Sequence, residues 1–81
     1  MGRDEVINDF LDGKTKGKAS SLSISGNTLY SYSTGIARLE GETVYLNNKK
    51  YSQTTSTQQN AVMRIASKKG LNIEKVEPDQ I

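Results

Sequence analysis

The first residues in this sequence that could do chemistry are three alternating lysines, Lys14, Lys16 and Lys18. In an extended conformation all three side chains would lie on the same side of the chain, roughly 6.6 Å apart. That spacing is close to the phosphate repeat of a nucleic-acid strand, so the ammonium groups could bind successive phosphates. The alternative is a solvated basic linker, which Gly13 and Gly17 favour because glycines loosen the backbone between the lysines.

A second group of candidate residues lies in and around residues 51–60, the densest polar run of the chain. The hydroxyl groups of this run precede a predicted helix, and the free amides at a helix N-terminus bind anions. We expect either a phosphate or carboxylate site here, or only a cap and a turn for the helix. The candidate ligands of this group are Lys49, Lys50, Tyr51, Thr54, Thr55 and Arg64.

Aromatic residues could add base stacking to these charges. Four of the five aromatic residues are tyrosines, and all fall in the predicted strand region: Tyr30, Tyr32, Tyr45 and Tyr51. Next to Arg38 and the lysines at 49 and 50, exposed tyrosines would form a stacking platform for unpaired bases. Alternatively, tyrosines fill the core with their hydroxyls at its rim. Because the chain has one Phe and no Trp, we expect at least two of the four to do so.

The residues that are missing exclude several kinds of chemistry. The chain has no cysteine and no histidine, which rules out thiol nucleophiles, disulfides, zinc fingers, histidine acid–base catalysis and Ser-His-Asp triads. Asp9 and Asp12 share a predicted helix, but no third carboxylate joins them to form a metal site. We therefore predict a protein that is not an enzyme and that has no cofactor and no metal.

Charge is distributed unevenly along the chain, although the formal net charge is only +2. Residues 13–69 carry nine basic residues against two acidic ones, whereas both ends carry more acidic than basic residues. A basic middle predicts a surface that meets an anion, either nucleic acid or an acidic protein. The alternative is an ordinary solvated surface whose charge the acidic ends neutralise.

A small α+β fold must position these residues. The 81 residues are enough for one small domain, residues 1–81, and leave no room for a second. Residues 3–12 predict an N-terminal amphipathic helix that Gly13 ends. The apolar stripe of this helix consists of Val6, Ile7, Phe10 and Leu11.

Strands are predicted between residues 20 and 52, after a flexible basic linker at residues 13–18. Apolar and polar residues alternate in this region, and Gly26 and Gly41 belong to hairpin turn signals. Gly35 predicts a bulge or a bend. The pattern therefore predicts a sheet of three to four antiparallel strands.

A second helix is predicted at about residues 57–69, packed with the first helix on one face of the sheet. Ser56 and Gln59 match a capping box at its start, and Gly70 matches a stop signal at its end. Its buried stripe is expected to be Val62, Ile65 and Ala66. After it, Leu71, Ile73 and Val76 predict a short C-terminal strand at the edge of the sheet.

The compartment follows from the absence of targeting signals. No apolar run approaches the roughly 18 residues that a membrane span needs. No signal-peptide core follows the polar start of the chain, and no cysteine could form the disulfides usual in small secreted domains. We expect a protein of the host cell cytoplasm that does not bind a membrane.

Three segments of the chain together resemble a known family. They are LYSYSTGIA at residues 29–37, VYLN at 44–47 and KYSQTTSTQQ at 50–59. The family consists of short uncharacterised proteins from phages, plasmids and archaea, with the pattern S-Y-x-T-x-I-A followed by K-Y-S-x-T-T-S-x-x-Q. Many members have a histidine immediately before the final glutamine, where this chain has Gln58. The resemblance implies an accessory protein of a mobile element.

From these features we predict a small accessory protein of a phage or other mobile element that binds nucleic acid through its basic central region. The alternative is an inhibitor of a host defence protein, similar to an anti-CRISPR protein, that acts by protein–protein binding. A homodimer is left open. On either interpretation, the expected binding residues are Lys14, Lys16, Lys18, Arg38, Lys49, Lys50, Tyr51, Thr54, Thr55 and Arg64.

Overall fold

The structure, a computed structural model of the chain, describes residues 2–19, 21–49 and 51–81. Among the predicted binding residues, Lys50 lies outside this part of the chain. The elements are α1 Arg3–Leu11, β1 Lys16–Ala19, β2 Leu22–Ser25, β3 Thr28–Ser31, β4 Thr34–Glu40, β5 Thr43–Asn47, α2 Gln53–Lys68 and β6 Asn72–Val76, followed by a 3-10 turn at Pro78–Gln80.

The strands form one sheet in the order of the sequence, from β1 at one edge to β6 at the other. The first five strands form an antiparallel meander, whereas β6 pairs with β5 in parallel because α2 crosses back between them. The predicted α+β class is confirmed. The predicted sheet of three to four antiparallel strands is wrong, since the described residues form six strands and one pair is parallel.

Most of this difference comes from β1, which occupies the segment predicted to be a linker. Lys16, Gly17 and Lys18 show no apolar alternation, and only Ala19 of this strand is buried. Backbone pairing with β2 therefore makes the strand, and side-chain burial contributes little. The predicted C-terminal edge strand is confirmed as β6.

Both helices share one core with the same face of the sheet. The predicted stripe of α1 is confirmed, since its four residues are at most 5% exposed. In α2, the predicted residues Val62, Ile65 and Ala66 are buried as well. A nine-residue helix such as α1 is only marginally stable alone, so docking on this core is what holds it.

Helix α2 begins one turn earlier than predicted. Ser52 is the N-cap, and its hydroxyl oxygen accepts a 3.2 Å hydrogen bond from the Thr55 amide. The predicted N-cap at Ser56 is wrong, because Ser56 lies inside the helix and its amide donates to the Ser52 carbonyl at 2.9 Å. The predicted stop is confirmed: the helix ends at Lys68, and Gly70 adopts a left-handed φ of 75°.

The predicted irregularity at Gly35 is a β-bulge between β3 and β4. The pairing shifts between Leu29 and Tyr30, so that Ile36 is the extra residue and is buried like Ala37 beside it. Gly35 also lies under the end of the chain, since a Cβ there would come within 2.9 Å of Ile81 Cγ2. The last residues therefore fold back over the face of the sheet that lacks helices.

Candidate functional site

A cleft of about 800 Å³ opens at one end of the sheet, where β1 ends beside the start of β2 and β3 ends beside the start of β4. The beginnings of α1 and α2 complete its walls. We call this the α2 cleft. Its polar walls are formed by Arg3, Lys18, Ser21, Tyr32, Thr54 and Thr57, and Gln58 also contacts it.

Tyr32, in the turn between β3 and β4, is the one large hydrophobic side chain that is exposed in the described part of the chain, at 69%. Its φ of 57° is a left-handed conformation, which costs a non-glycine residue roughly 1–2 kcal/mol. The Tyr32 amide donates a 2.7 Å hydrogen bond to the Ser21 carbonyl, which fixes the turn against the β1–β2 connection. A strained backbone therefore holds the ring at the cleft, outside the core.

Two cationic residues border the cleft beside this ring: Lys18 of β1 and Arg3 of α1. Lys18 pairs with Ser23, and its side chain shares the strand face of Lys16, away from the helices. Lys18 is exposed, and the described residues give it no carboxylate partner. Arg3 Nε donates to Asp4 Oδ1 at 3.1 Å. Lys18 therefore places an uncompensated positive charge at the rim of the cleft.

Asp4 moderates the charge at the start of α1. The hydrogen bond from Arg3, with the charge of Arg64 at 3.6 Å adding to it, holds the pKa of the Asp4 carboxyl below its ordinary value of 3.8. Asp4 is therefore ionised at neutral pH and offsets part of the charge of Arg3. Protonation would release both arginines only as the pH falls through that lowered pKa.

A chain of hydrogen-bonded polar side chains runs inward from the cleft, beginning at Ser21 and Gln58, which line it. Gln58 is 4% exposed, and its Nε2 donates to Ser21 Oγ at 2.7 Å. Its Oε1 accepts a hydrogen bond from Ser31 Oγ, which also lies 3.3 Å from Thr55 Oγ1. Both Nε2 and Oε1 of Gln58 therefore have hydrogen-bond partners. The side chain connects α2 to Ser31, which precedes Tyr32 in the chain, and to Ser21, whose carbonyl accepts from the Tyr32 amide.

Gln58→Leu is expected to lower the free energy of unfolding by about 1–3 kcal/mol, because the hydroxyls of Ser21 and Ser31 lose their partner. Urea denaturation measures this loss. The double variant Ser31→Ala with Gln58→Leu should lose less than the sum of the two single variants, because the hydroxyl that Gln58 satisfied is gone. If the loss in the double variant equals the sum of the two single losses, the hydrogen bond between Ser31 and Gln58 does not couple the two residues.

The polar run at residues 51–60 caps α2, fastens it to β5 and contributes residues to the wall of the cleft. Ser52 and Thr55 cap the helix, and Thr55 is only 4% exposed, so its hydroxyl cannot reach a surface ligand. Gln59 Nε2 donates to the carbonyls of Asn47 at 3.0 Å and Lys49 at 3.3 Å, which fastens the end of β5 to the helix. Thr54 and Thr57 instead line the cleft.

Two other predicted binding residues, Lys14 and Arg38, have partners within the protein. Lys14 Nζ lies 3.4 Å from Asp9 Oδ1 and is not part of β1, so only Lys16 and Lys18 of the predicted row share a strand face. Arg38 forms an ion pair with Glu40, donates to the Gln80 carbonyl at 3.2 Å and lies 4.7 Å from the centre of the Tyr45 ring.

Lys49 and Tyr51 lie near each other, but neither lines the α2 cleft. Lys49 Nζ is 5.4 Å from the centre of the Tyr51 ring, and the Tyr51 hydroxyl accepts a 2.9 Å hydrogen bond from Asn47 Nδ2. Arg64 is exposed on α2 beside Asp4. Of the predicted binding residues that the structure describes, only Lys18 and Thr54 lie together at the cleft.

None of the four tyrosines belongs to the buried core, so the expectation that at least two would do so is wrong. Phe10 and aliphatic residues of the helices and the sheet fill the core. Tyr30, Tyr45 and Tyr51 are half-buried. Tyr30 pairs with Ser23 and Gly35, and Tyr45 with Arg38 and Glu74, which places both rings on the face of the sheet away from the helices.

No sequence pattern described above marks Arg3, Ser21, Thr57 or Gln58 as a site residue. One signal for Gln58 was present: the helical period of Val62, Ile65 and Ala66, extended backwards, reaches positions 55, 58 and 59. These positions are polar and buried. No comparable signal marks Arg3, because only the packing of α1 brings it to the cleft.

Comparison with known families gives one match, which covers residues 4–77 and is described as Family of unknown function (DUF8033). The predicted similarity to an uncharacterised family is confirmed at this level. No curated protein and no solved structure matches the chain. In residues 2–19, 21–49 and 51–81, no helix is long and apolar enough to cross a membrane.

Proposed function

The chain belongs to the DUF8033 family, and since the function of that family is unknown, we propose from the site itself that the α2 cleft binds single-stranded nucleic acid. The observation that carries this proposal is Tyr32, an exposed ring held by a strained turn beside Lys18 and Arg3. Proteins that bind unpaired bases combine an aromatic stacking surface with cations that neutralise the neighbouring phosphates. The α2 cleft supplies both.

The hydroxyl groups of the cleft suit the polar parts of a nucleotide. Thr54 is exposed in the first turn of α2, and Thr57 lies one turn further along the same side. The Thr54 hydroxyl can donate to a phosphate oxygen, whereas the Thr57 hydroxyl donates to the Gln53 carbonyl at 2.9 Å and can accept from a base edge. A volume of about 800 Å³ falls within the usual range for ligand sites, roughly 300–1,000 Å³.

Unpaired bases fit this site better than a duplex. In a duplex the faces of the bases are stacked on one another, so a single protruding ring cannot reach them without unstacking. The described residues of the cleft offer two cations, too few to follow both backbones of a duplex. We therefore expect preference for single strands over the matching duplex.

We also propose that the protein is a non-enzymatic accessory protein of a phage or other mobile element, acting in the cytoplasm of the host cell. The residue pattern around Tyr32 and Tyr51, which resembles short phage and plasmid proteins, supports this origin. Binding to unpaired strands is a role such a protein could perform during replication or transfer of the element.

A salt titration with a single-stranded oligonucleotide tests the proposed function. The affinity should fall as salt rises, and Lys18→Gln should weaken binding and reduce the slope of log K against log salt by about 0.7. Lys68→Gln removes the same charge from the far end of α2, roughly 21 Å along the helix from Thr54, and is the matched control. It should leave the slope nearly unchanged.

Equal slopes for Lys18→Gln and the parent would show that Lys18 contacts no phosphate and would contradict the proposed site. Absence of binding to any oligonucleotide, together with capture of one protein from nuclease-treated host lysate, would favour the inhibitor of a host defence protein instead.

A further inference from the structure

The two outermost strands of the sheet each leave one edge without a partner strand. In the described part of the chain, β1 pairs only with β2, and β6 pairs only with β5. Such an edge presents amide and carbonyl groups on which a further strand can pair. Four antiparallel pairings and one parallel pairing separate β1 from β6, so these two strands run in the same direction.

The segments that contain the two edges differ in net charge; within β6 Glu74 and Lys75 cancel, and the acidic excess lies just after the strand, at Glu77 and Asp79. Residues 13–19, which include β1, contain three lysines and no acidic residue. Residues 70–81, which include β6, contain Glu74, Glu77 and Asp79 against Lys75 alone. The lysines would oppose pairing of β1 with another β1 strand, but they would attract an acidic strand.

Lys16 and Glu74 occupy opposite ends of one row across the sheet. The residues of this row, each paired with the next, are Lys16, Ser25, Thr28, Arg38, Tyr45 and Glu74. All six lie on the same face because residues directly opposite one another in a sheet share a face. A second copy displaced along the row would therefore bring its Lys16 next to Glu74 of the first copy.

We propose that copies of this protein associate head to tail, with the β6 edge of one copy pairing in parallel with the β1 edge of the next. Lys16 of one copy then faces Glu74 of its neighbour, and both side chains are exposed and without an ion-pair partner among the described residues. Because the two paired surfaces differ, an assembly of any length keeps a free β1 edge at one end and a free β6 edge at the other. Growth therefore continues beyond a dimer.

Symmetric dimers fit the charges less well. Antiparallel pairing of β1 with β1 would bring lysines close to lysines. Antiparallel pairing of β6 with β6 in the register that sets Glu74 opposite itself would oppose the two Glu74 carboxylates. Like charges placed opposite each other destabilise a strand pair. Head-to-tail association is independent of nucleic-acid binding, and Lys18, two residues further along β1 than Lys16, borders the α2 cleft.

Sedimentation velocity of the free protein, from micromolar to millimolar concentration at low salt, tests the proposal. The weight-average mass should rise with concentration beyond that of a dimer and should fall when salt is added. Lys16→Glu and Glu74→Lys should each reduce the association, because each places like charges at the junction. Their combination should restore it, since the ion pair is re-formed with reversed polarity.

Lys68→Glu is the matched control: it makes the same charge change away from both edges and should leave the association close to that of the parent. A parent protein that stays monomeric throughout this range would overturn the proposal, as would a mass that stops at a dimer. A combined variant that associates no better than the single variants, while its circular dichroism shows a normal fold, would also overturn it.

Discussion

Tyr32→Asn is expected to weaken the binding of a single-stranded oligonucleotide by about 5- to 150-fold. Loss of one base-stacking ring costs about 1–3 kcal/mol, and this range corresponds to that change in affinity. The fold should not suffer, because Tyr32 is 69% exposed and asparagine tolerates its left-handed φ of 57°. Fluorescence anisotropy of a labelled oligonucleotide measures the affinity, and urea denaturation measures the stability.

Tyr32→Phe and Tyr32→Trp are the controls for this prediction. Both keep an aromatic face, so both should bind within a few-fold of the parent if the ring acts by stacking. Equal losses in Tyr32→Asn and Tyr32→Phe would instead mean that the hydroxyl makes the contact. Affinity that Tyr32→Asn leaves unchanged would remove the ring from the site.

Phe10→Ala is expected to lower the free energy of unfolding by about 3–5 kcal/mol. The side chain is 1% exposed and lies in the core between α1 and the sheet, so truncation leaves a cavity that its neighbours cannot fill completely. Domains of this size are stable by about 5–15 kcal/mol, so the loss is a large part of the total. Urea denaturation measures the loss, with Phe10→Leu expected to lose less than about 1.5 kcal/mol.

Substitution of Phe10 should change the stability of the fold without changing the affinity for an oligonucleotide. Phe10 borders a second cavity beside Gly26 and Gly41, at the end of the sheet opposite the α2 cleft. The folded fraction of Phe10→Leu should therefore bind an oligonucleotide as tightly as the parent. A loss below about 1 kcal/mol in Phe10→Ala would show that α1 is not docked as the structure has it.

The sequence predicts well those elements in which buried apolar side chains recur at the regular spacing of a helix or a strand. The buried stripes of α1 and of α2 from Val62 onwards are confirmed for this reason. The bulge at Gly35 is confirmed for another reason, since a glycine within a strand marks such an irregularity.

Ser52 and Ser56 can both serve as the N-cap of α2, and the sequence favours Ser56 because Gln59 completes a capping box. The structure uses Ser52, so the helix begins earlier than predicted. Burial of Thr55 and Gln58 against the sheet favours the earlier start, and those contacts are not local.

The candidate site is harder to predict because it is assembled from four distant segments. Arg3, Lys18, Tyr32 and Thr54 lie far apart in the chain and meet only when the sheet and both helices are in place. Charge alone pointed to Arg38, whose donors are occupied by Glu40 and the Gln80 carbonyl. Composition identifies which residues could bind an anion, but only the fold shows which of them have no internal partner.

Binding of single-stranded nucleic acid in the α2 cleft can be mapped by an NMR titration of the isotopically labelled protein with a short single-stranded oligonucleotide. We expect saturable shifts of backbone amide signals that are largest at Lys18, Ser21, Tyr32, Thr54 and Thr57. Signals from Gly26 and Gly41, at the opposite end of the sheet, should move little. Shifts that are largest at that opposite end, or an absence of saturable shifts anywhere, would show that the cleft is not the binding site.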